Sequence, residues 1–187
     1  MNTTLPHPDK LTLCPILPQH LAAATTLYEE AFPELERRPT EAWHELMRNE
    51  KDFQAHAICI NDEFAGFITS WQPADFVYVE HFAIAPHRRN GGWGGKALQA
   101  FLTQNDQLPV VLEVEEPNTS MAQRRIAFYE RHGFGMLHNP YLQPPYREGD
   151  EMLPLRLMTT HPDWGDAHFD FITNSIHRTV YNWPRQV

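Results

Sequence analysis

The sequence predicts an α/β domain with a mixed, mostly antiparallel central sheet of about seven strands flanked by helices. Three observations support this prediction. From Phe53 onwards, apolar residues at helical spacing are replaced by apolar residues that alternate with a period of two. A two-residue polar turn joins the first strands of that stretch. After a glycine-rich turn, strands and helices alternate along the chain. We expect one domain over residues 1–187, with its core at about 10–160 and a helical extension at about 163–183.

The first part of the chain predicts one strand and two helices. The apolar segment Leu11–Leu17 contains Pro15, which limits it to an edge or entry strand because proline cannot donate to a sheet ladder. Residues 18–32 place apolar side chains at helical spacing behind a proline, and residues 39–49 predict a second, shorter helix. The loop between these helices, "PELERRP", is densely charged.

The middle of the chain predicts an antiparallel meander. Three successive strands are expected in "FQAHAICI", "EFAGFITSW" and "DFVYVEHFAIA". Asn61 and Asp62 form the tight connection between the first two. His81, next to Glu80 in the third strand, is expected to point to the opposite face and to serve packing.

The remaining elements alternate between helix and strand. A helix is expected after the glycines, followed by the strand "PVVLEVEEP" and by a helix that ends before a capping glycine, Gly133. A proline-rich loop leads to a last strand, "EMLPLRLM". An amphipathic helix follows, with its buried side at Phe169, Ile172, Ile176 and Val180.

Composition and charge exclude several classes of protein. The net charge of -9 repels polyanions, so nucleic acid is not an expected partner. No apolar run is long enough for a membrane span, and the two separate cysteines fit core thiols in a reducing compartment; we therefore expect a cytoplasmic protein without a membrane partner. The histidines do not fall at metalloprotease spacing, since Arg48 stands where His44 would need a second histidine, and no metal is expected.

The glycine-rich turn, Gly91–Gly95, fits two nucleotide-binding patterns poorly. A phosphate-binding loop of nucleoside triphosphatases would need glycine at Asn90 and a hydroxyl residue at Ala97. The spacing of a dinucleotide fingerprint is present, but "PHRRN" separates the strand from the first glycine and the preceding strands form a meander. A turn that merely capped a helix would need neither the proline spacing nor so many glycines.

A third pattern uses the residues before the glycines. From Ile84 to Gly94 the sequence fits V-x-P-x-x-R-x-x-G-x-G with isoleucine for valine, and it resembles the acetyl-CoA-binding motif of the GNAT superfamily of N-acetyltransferases. A helix N-terminus with unpaired N–H groups also attracts a pyrophosphate, and glycines allow it to approach. The segment "RRIAFYERHGF" is similar to a later helix of the same family.

The resemblance implies that acetyl-CoA is the co-substrate. It places the cofactor-binding residues at Phe82, Ala83, Ile84, Arg89, Asn90, Gly91, Gly92, Trp93, Gly94 and Tyr129. The sequence departs from the family at Ala122, where many members carry an asparagine, and Asn118, Ser120, Arg124 and Arg125 are all open as replacements.

The same resemblance implies catalytic roles for Glu80 and Tyr129. Glu80 would accept the proton of the amine, directly or through water, unless it is an ion-paired strand residue, and Glu113 on the next strand is the alternative base. Tyr129 would protonate the departing thiolate. A phenol titrates about 1.5 pH units above a thiol, so we expect a modest depression of the tyrosine pKa to close that gap.

The acceptor is expected to be a primary amine of a small molecule or a peptide. The candidate substrate-binding residues are Glu113, Arg37 and Tyr146. Glu34 and Glu36 in the charged loop would suit a cationic amine, while Arg37 and Arg38 could hold a carboxylate. The sequence thus predicts direct acetyl transfer to an amine by a monomer or homodimer; the alternative is a non-catalytic module that binds acyl-CoA. The C-terminal helix could pack on the domain or form a dimer contact.

Overall fold

The computed structural model describes residues 9–184. The strands are β1 (Leu11–Pro15), β2 (Phe53–Ile60), β3 (Glu63–Ala74), β4 (Phe76–Ile84), β5 (Val110–Glu115), β6 (Gly135–Met136), β7 (Tyr141–Gln143) and β8 (Leu153–Thr159). The helices are α1 (Pro18–Ala31), α2 (Thr40–Asn49), α3 (Trp93–Gln104), α4 (Ser120–Glu130), α5 (Pro162–Ala167) and α6 (Phe169–Thr179). No helix among these residues combines the length and apolar composition needed to cross a bilayer.

All the strands form one sheet, which confirms the predicted fold class. The order is β1-β2-β3-β4-β5-β8-β6, and β7 also pairs with β8. β4 and β5 are parallel, and the other pairs are antiparallel. The edge position of β1 agrees with Pro15, and Asn61 and Asp62 have the positive φ angles of 52° and 67° that a tight hairpin turn requires. The segment between α4 and β8 adds β6 and β7, which are too short to give a sequence pattern.

Helices cover both faces of the sheet. α1, α2 and α6 pack on one face, where Tyr28 and Trp43 stack with their ring centroids 4.2 Å apart. α3 and α4 cover the other face through buried residues that include Leu98, Phe101 and Ile126. The site described below connects these two faces.

A β-bulge in β4 overturns the expected orientation of His81. Thr69 of β3 pairs with His81, but the next residue, Ser70, pairs with Val79, so Glu80 is an extra residue in the ladder. The bulge breaks the alternation of side chains, and Glu80 and His81 both contact Tyr146. The prediction that His81 points away from Glu80 was therefore wrong, although His81 is buried.

The parallel pairing of β4 and β5 is short. It joins Val77, Tyr78 and Val79 to Val110, Val111 and Leu112, and no residue after Val79 pairs with β5. The two strands separate from Glu80 onwards. This opening leaves the β5-facing edge of β4 at Phe82–Ile84 without a partner strand.

The C-terminal extension packs back on the sheet. Ile172 and Ile176 of α6 are fully buried, and α6 is followed by Val180 and Tyr181, which are also buried in the same core. The packing interpretation of this helix is therefore confirmed, whereas the dimer contact stays a prediction.

Candidate active site

A cavity of about 400 Å³ lies where β4 and β5 separate. β4 and β5 both contribute to its walls, and residues from α1 and α4 complete them. Its lining residues include Glu80, Phe82, Ala83, Ile84, Arg89, Glu113, Met121, Arg125 and Tyr129. The cavity thus brings together the predicted cofactor-binding and catalytic residues on either side of the glycine turn, which are Glu80, Phe82, Ala83, Ile84, Arg89 and Tyr129.

The N-terminus of α3 adjoins this cavity through Ile84 and Arg89. Gly92 is the N-cap and has a φ of 74°, a conformation that glycine adopts without strain. The first N–H groups of α3 have no partner within the helix and carry the positive end of its dipole. A Cβ atom at Gly94 would lie 3.6 Å from the Ile84 side chain, which is ordinary van der Waals contact.

The residues around the glycines hold the turn in place. The Arg89 Nε donates to the carbonyl oxygen of Ile84 at 2.8 Å, and Asn90 takes a left-handed φ of 64°. The Lys96 ammonium lies 4.3 Å from the centre of the Trp93 ring. Two cationic groups therefore flank the helix N-terminus, which favours an anionic ligand.

Tyr129 lines the cavity from α4, one turn after Arg125. Burial raises the pKa of Tyr129 to about 12, and the nearby Arg125 does not offset this effect. The expected depression of its pKa was therefore wrong in direction, because the sequence pattern does not register desolvation. The phenol stays protonated across the physiological pH range.

Glu80 is held by three neighbouring side chains. Its Oε1 accepts from Arg38 Nε at 3.2 Å and from the Tyr146 hydroxyl at 3.0 Å, and its Oε2 accepts from Trp71 Nε1 at 2.9 Å. Burial alone would raise the pKa of this fully buried carboxyl, but the Arg38 guanidinium and the hydrogen bonds outweigh burial and lower it. The geometry is that of an ion-paired strand residue.

Glu113 has a different environment. Burial raises its pKa to about 7, although part of its surface stays open to the cavity. The Tyr181 hydroxyl donates to the carboxylate, 3.0 Å from Oε2 and 3.3 Å from Oε1, and also lies 3.1 Å from the Tyr78 hydroxyl. A carboxylate with a pKa near neutrality that faces a cavity can take up and release a proton at physiological pH.

A smaller cavity of about 70 Å³ adjoins the first. Both cavities are lined by Phe32, Glu80, Glu113 and Arg125. Tyr146, a predicted acceptor-binding residue, lines the smaller cavity, and its binding role stays a prediction. Both carboxylates therefore lie where the two cavities adjoin.

The two arginines of the charged loop have different contacts in the structure. Arg37 lines neither cavity, and its Nε donates to the carbonyl oxygen of Phe32 at 3.1 Å. Arg38 instead pairs with Glu80, and its guanidinium lies 4.9 Å from the centre of the Tyr146 ring. Adjacent arginines in a loop give no sequence signal that distinguishes the buried one.

Other residues of the site were missed or left open by sequence reasoning. Trp71 and Tyr181 reach the carboxylates from β3 and from the segment after α6, and neither belongs to a motif. Among the four possible replacements for the family asparagine, Arg125 lines both cavities. Ala122 is buried, and its N–H donates to the capping Thr119 hydroxyl at 3.1 Å.

Three potential metal ligands lie together outside this site. The ligand atoms of Cys14, His20 and Cys59 are within 4.8 Å of one another. Burial and the neighbouring Cys14 raise the pKa of Cys59 to about 11, which opposes the thiolate form that metals bind. The expectation that no metal takes part stays a prediction.

Comparisons with known proteins agree with this geometry. Residues 21–134 match the model of the acetyltransferase (GNAT) family. A solved protein from Bacteroides thetaiotaomicron, assigned to the GNAT family of acetyltransferases, is 39% identical, with a TM-score of 0.85 over 91% of this chain and 98% of its own. No match is found among curated proteins.

More distant solved structures share the fold. The spermidine N-acetyltransferase of Vibrio cholerae, in complex with CoA and spermine, is 13% identical, with a TM-score of 0.63 over 82% of this chain and 96% of its own. Arabidopsis thaliana NAA60, in complex with a bisubstrate analogue, is 16% identical, with a TM-score of 0.61 over 80% of this chain and 97% of its own.

The open sheet, the glycine-capped helix and the family match together define an acetyltransferase fold. The chain belongs to the GNAT family, whose members use acetyl-CoA as co-substrate.

Proposed function

We propose that this protein transfers the acetyl group of acetyl-CoA directly to a primary amine of a small molecule or peptide. The observation that carries the proposal is that two adjoining cavities share Glu80 and Glu113 in their walls. The larger one extends to Arg89 near the glycine turn, which suits the cofactor, and the smaller one suits the acceptor. The single-domain organisation and the cytoplasmic location stay predictions.

Glu113 is the base in this proposal. Its pKa of about 7 allows it to take the proton of an ammonium or of the attacking amine, whereas the low pKa and filled hydrogen bonds of Glu80 oppose that role. The amine nitrogen forms a bond to the acetyl carbon, its proton passes to Glu113, and the carbon–sulfur bond breaks with its electrons on sulfur. Glu80 then acts as a positioning residue for Arg38 and Tyr146.

Tyr129 and the free edge of β4 act on the thioester. The β5-facing edge of β4 at Phe82–Ile84, which has no partner strand, can bind the pantetheine arm as an added strand and donate an N–H to the acetyl oxygen. The Tyr129 hydroxyl donates to the departing sulfur. Because its pKa is raised, full proton transfer to a free thiolate would be uphill by about 5 kcal/mol, so the hydrogen bond to sulfur is its main contribution.

Acetyl-CoA alone is expected to stabilise the protein at millimolar concentration, because a ligand that binds the folded state raises its melting temperature. The Arg89→Gln variant should show a smaller shift, since it loses a cation beside the pyrophosphate site. Differential scanning fluorimetry measures both, with the exposed Glu130→Gln variant as a control. No shift in wild type would contradict cofactor binding.

Thiol release from acetyl-CoA separates catalysis from binding alone. The non-catalytic module, our second candidate, predicts a thermal shift without amine-dependent release of thiol. The presence of a carboxylate with a pKa near 7 in the cavity favours the enzyme.

The Tyr181→Phe variant is expected to move the alkaline rise of kcat to higher pH. Removing a hydroxyl that donates to the Glu113 carboxylate destabilises its charged form and raises its pKa. A shift of about one pH unit is expected from one such hydrogen bond. An unchanged pH profile, with acetyl-CoA affinity intact, would show that Tyr181 does not influence the pKa of the base.

A further inference from the structure

We propose that the smaller cavity is a subsite for a second ammonium group, so that the acceptor is a small alkyl diamine or polyamine rather than a peptide. The inference rests on the proposed function, because it assigns the amine side of the same reaction. Its support comes from buried polar atoms without partners, from charge and from the small size of the cavity.

His81 offers the cavity an acceptor atom that lacks a donor. Its Nε2 lies 3.2 Å from the carbonyl oxygen of Glu36, and since a carbonyl accepts only, Nε2 carries the proton. Burial lowers the pKa of His81, so the ring is neutral and Nδ1 has a free lone pair. This Nδ1 is buried and has no hydrogen-bond partner within residues 9–184.

One further side chain of the cavity, Glu115, has an unsatisfied atom, and the neutral side chain of Gln143, which is 3% exposed, also lines the cavity. Glu115 pairs with Arg125 through Oε1, while its buried Oε2 has no donor in the described chain. Buried polar groups are nearly always hydrogen-bonded, so these atoms together indicate a ligand rich in N–H donors.

Uncompensated negative charge makes that ligand a cation. Glu80 is neutralised by Arg38, and Arg125 is the cation among the residues lining the smaller cavity. The carboxylates of Glu36, Glu113 and Glu115 share this one cation. Burial and then the charge of Glu115 raise the pKa of Glu36, and the nearby Arg125, which pairs with Glu115, does not offset them. A bound ammonium would supply the missing charge.

The size of the cavity opposes a peptide. The 70 Å³ space holds about two water-sized groups, since a water molecule takes about 30 Å³. Arg147, next to Tyr146, holds the loop around Glu36 in place by donating to the carbonyl oxygens of Glu34 and of Arg37, the latter at 3.0 Å. A narrow aminoalkyl chain fits this space, whereas a polypeptide backbone with its side chains exceeds it.

A matched pair of acceptors tests the proposal. Thiol release from acetyl-CoA is measured with 1,4-diaminobutane, with 1-aminobutane and with a short peptide bearing a free N-terminus. We expect kcat/KM for the diamine to exceed that for the monoamine by at least about tenfold, because the second ammonium makes charge-assisted hydrogen bonds, and the peptide to be poorest. Equal values for the two amines, or a preference for the peptide, would overturn the subsite while leaving acetyl transfer intact.

Variants connect the preference to the residues. Glu36→Gln should lower the ratio of diamine to monoamine kcat/KM by about tenfold, and Gln143→Leu should lower it as well. Glu130→Gln, an exposed change of the same type on α4, should leave the ratio at the wild-type value. A ratio that Glu36→Gln does not change would refute the assignment. Absence of release with every amine, despite a thermal shift by acetyl-CoA, would instead overturn the proposed function and the subsite with it.

Discussion

Replacing Glu113 with glutamine is expected to abolish amine acetylation while making the folded protein more stable at pH 8. Loss of the base lowers kcat by about 100- to 10,000-fold, which is the usual contribution of a positioned proton acceptor. Acetyl-CoA binding should persist, since the glycine turn and Arg89 are unchanged. Thiol release and a thermal shift by acetyl-CoA, both measured on the same variant, check this outcome.

The gain in stability follows from the sign of the pKa shift. Burial raises the pKa of Glu113 from 4.5 to about 7 in the folded protein, so the folded state holds its proton more tightly than the unfolded state. Wild-type stability therefore decreases as the pH rises through this window, and the full penalty is present above it. Glutamine removes a penalty of about 2 kcal/mol, allowing for partial screening by water in the cavity.

Glu80→Gln is the matched control for this experiment. It leaves Arg38 buried without its counter-ion, so it should lower stability at the same pH at which Glu113→Gln raises it. If Glu80→Gln lost far more kcat than Glu113→Gln at equal folded fraction, Glu80 would be the base and the proposed assignment would be wrong.

Local sequence signals predicted the turn and the helices beside the larger cavity, while their role in cofactor binding stays a prediction. Residues 84–94 carry a contiguous motif whose glycines and proline fix a turn, and Gly92 takes the left-handed conformation that such a turn requires. Tyr129 lies in the cavity because helical spacing from Ala122 and Ile126 determines its face. Motifs of this kind are encoded by neighbouring residues, so the sequence alone specifies them.

The acceptor side depends on contacts between distant parts of the chain. A single bulge residue turned Glu80 and His81 to the same face, and no propensity of the strand indicates it. Tyr181 reaches Glu113 from 68 residues away in sequence, and Arg38 reaches Glu80 from 42 residues away. Such pairings are set by tertiary packing, which also decides whether a carboxyl group has a lowered or a raised pKa.

Arg38→Met is expected to be the most destabilising change in the site. The guanidinium donates to Glu80 and to the carbonyl oxygen of Val180, so it joins the loop before α2 to β4 and to the C-terminal extension. Removing it leaves the fully buried Glu80 carboxylate without a cation. Breaking a buried pair in this way lowers the free energy of unfolding by about 3–5 kcal/mol, which chemical denaturation at neutral pH would measure.

The double variant Arg38→Met/Glu80→Gln distinguishes lost charge pairing from lost packing. It removes the unpaired charge, so it should recover part of the stability lost in Arg38→Met, and a double variant no more stable than the single one would show that packing dominates. The pH dependence gives an independent check. In wild type the lowered pKa of Glu80 contributes stability that is lost as the pH falls through its ordinary range, whereas in Arg38→Met the unpaired Glu80 has a raised pKa and acidification restores stability. Opposite slopes of unfolding free energy against pH between wild type and Arg38→Met would establish that Arg38 keeps Glu80 ionised, which leaves Glu113 as the carboxylate free to exchange a proton with the amine.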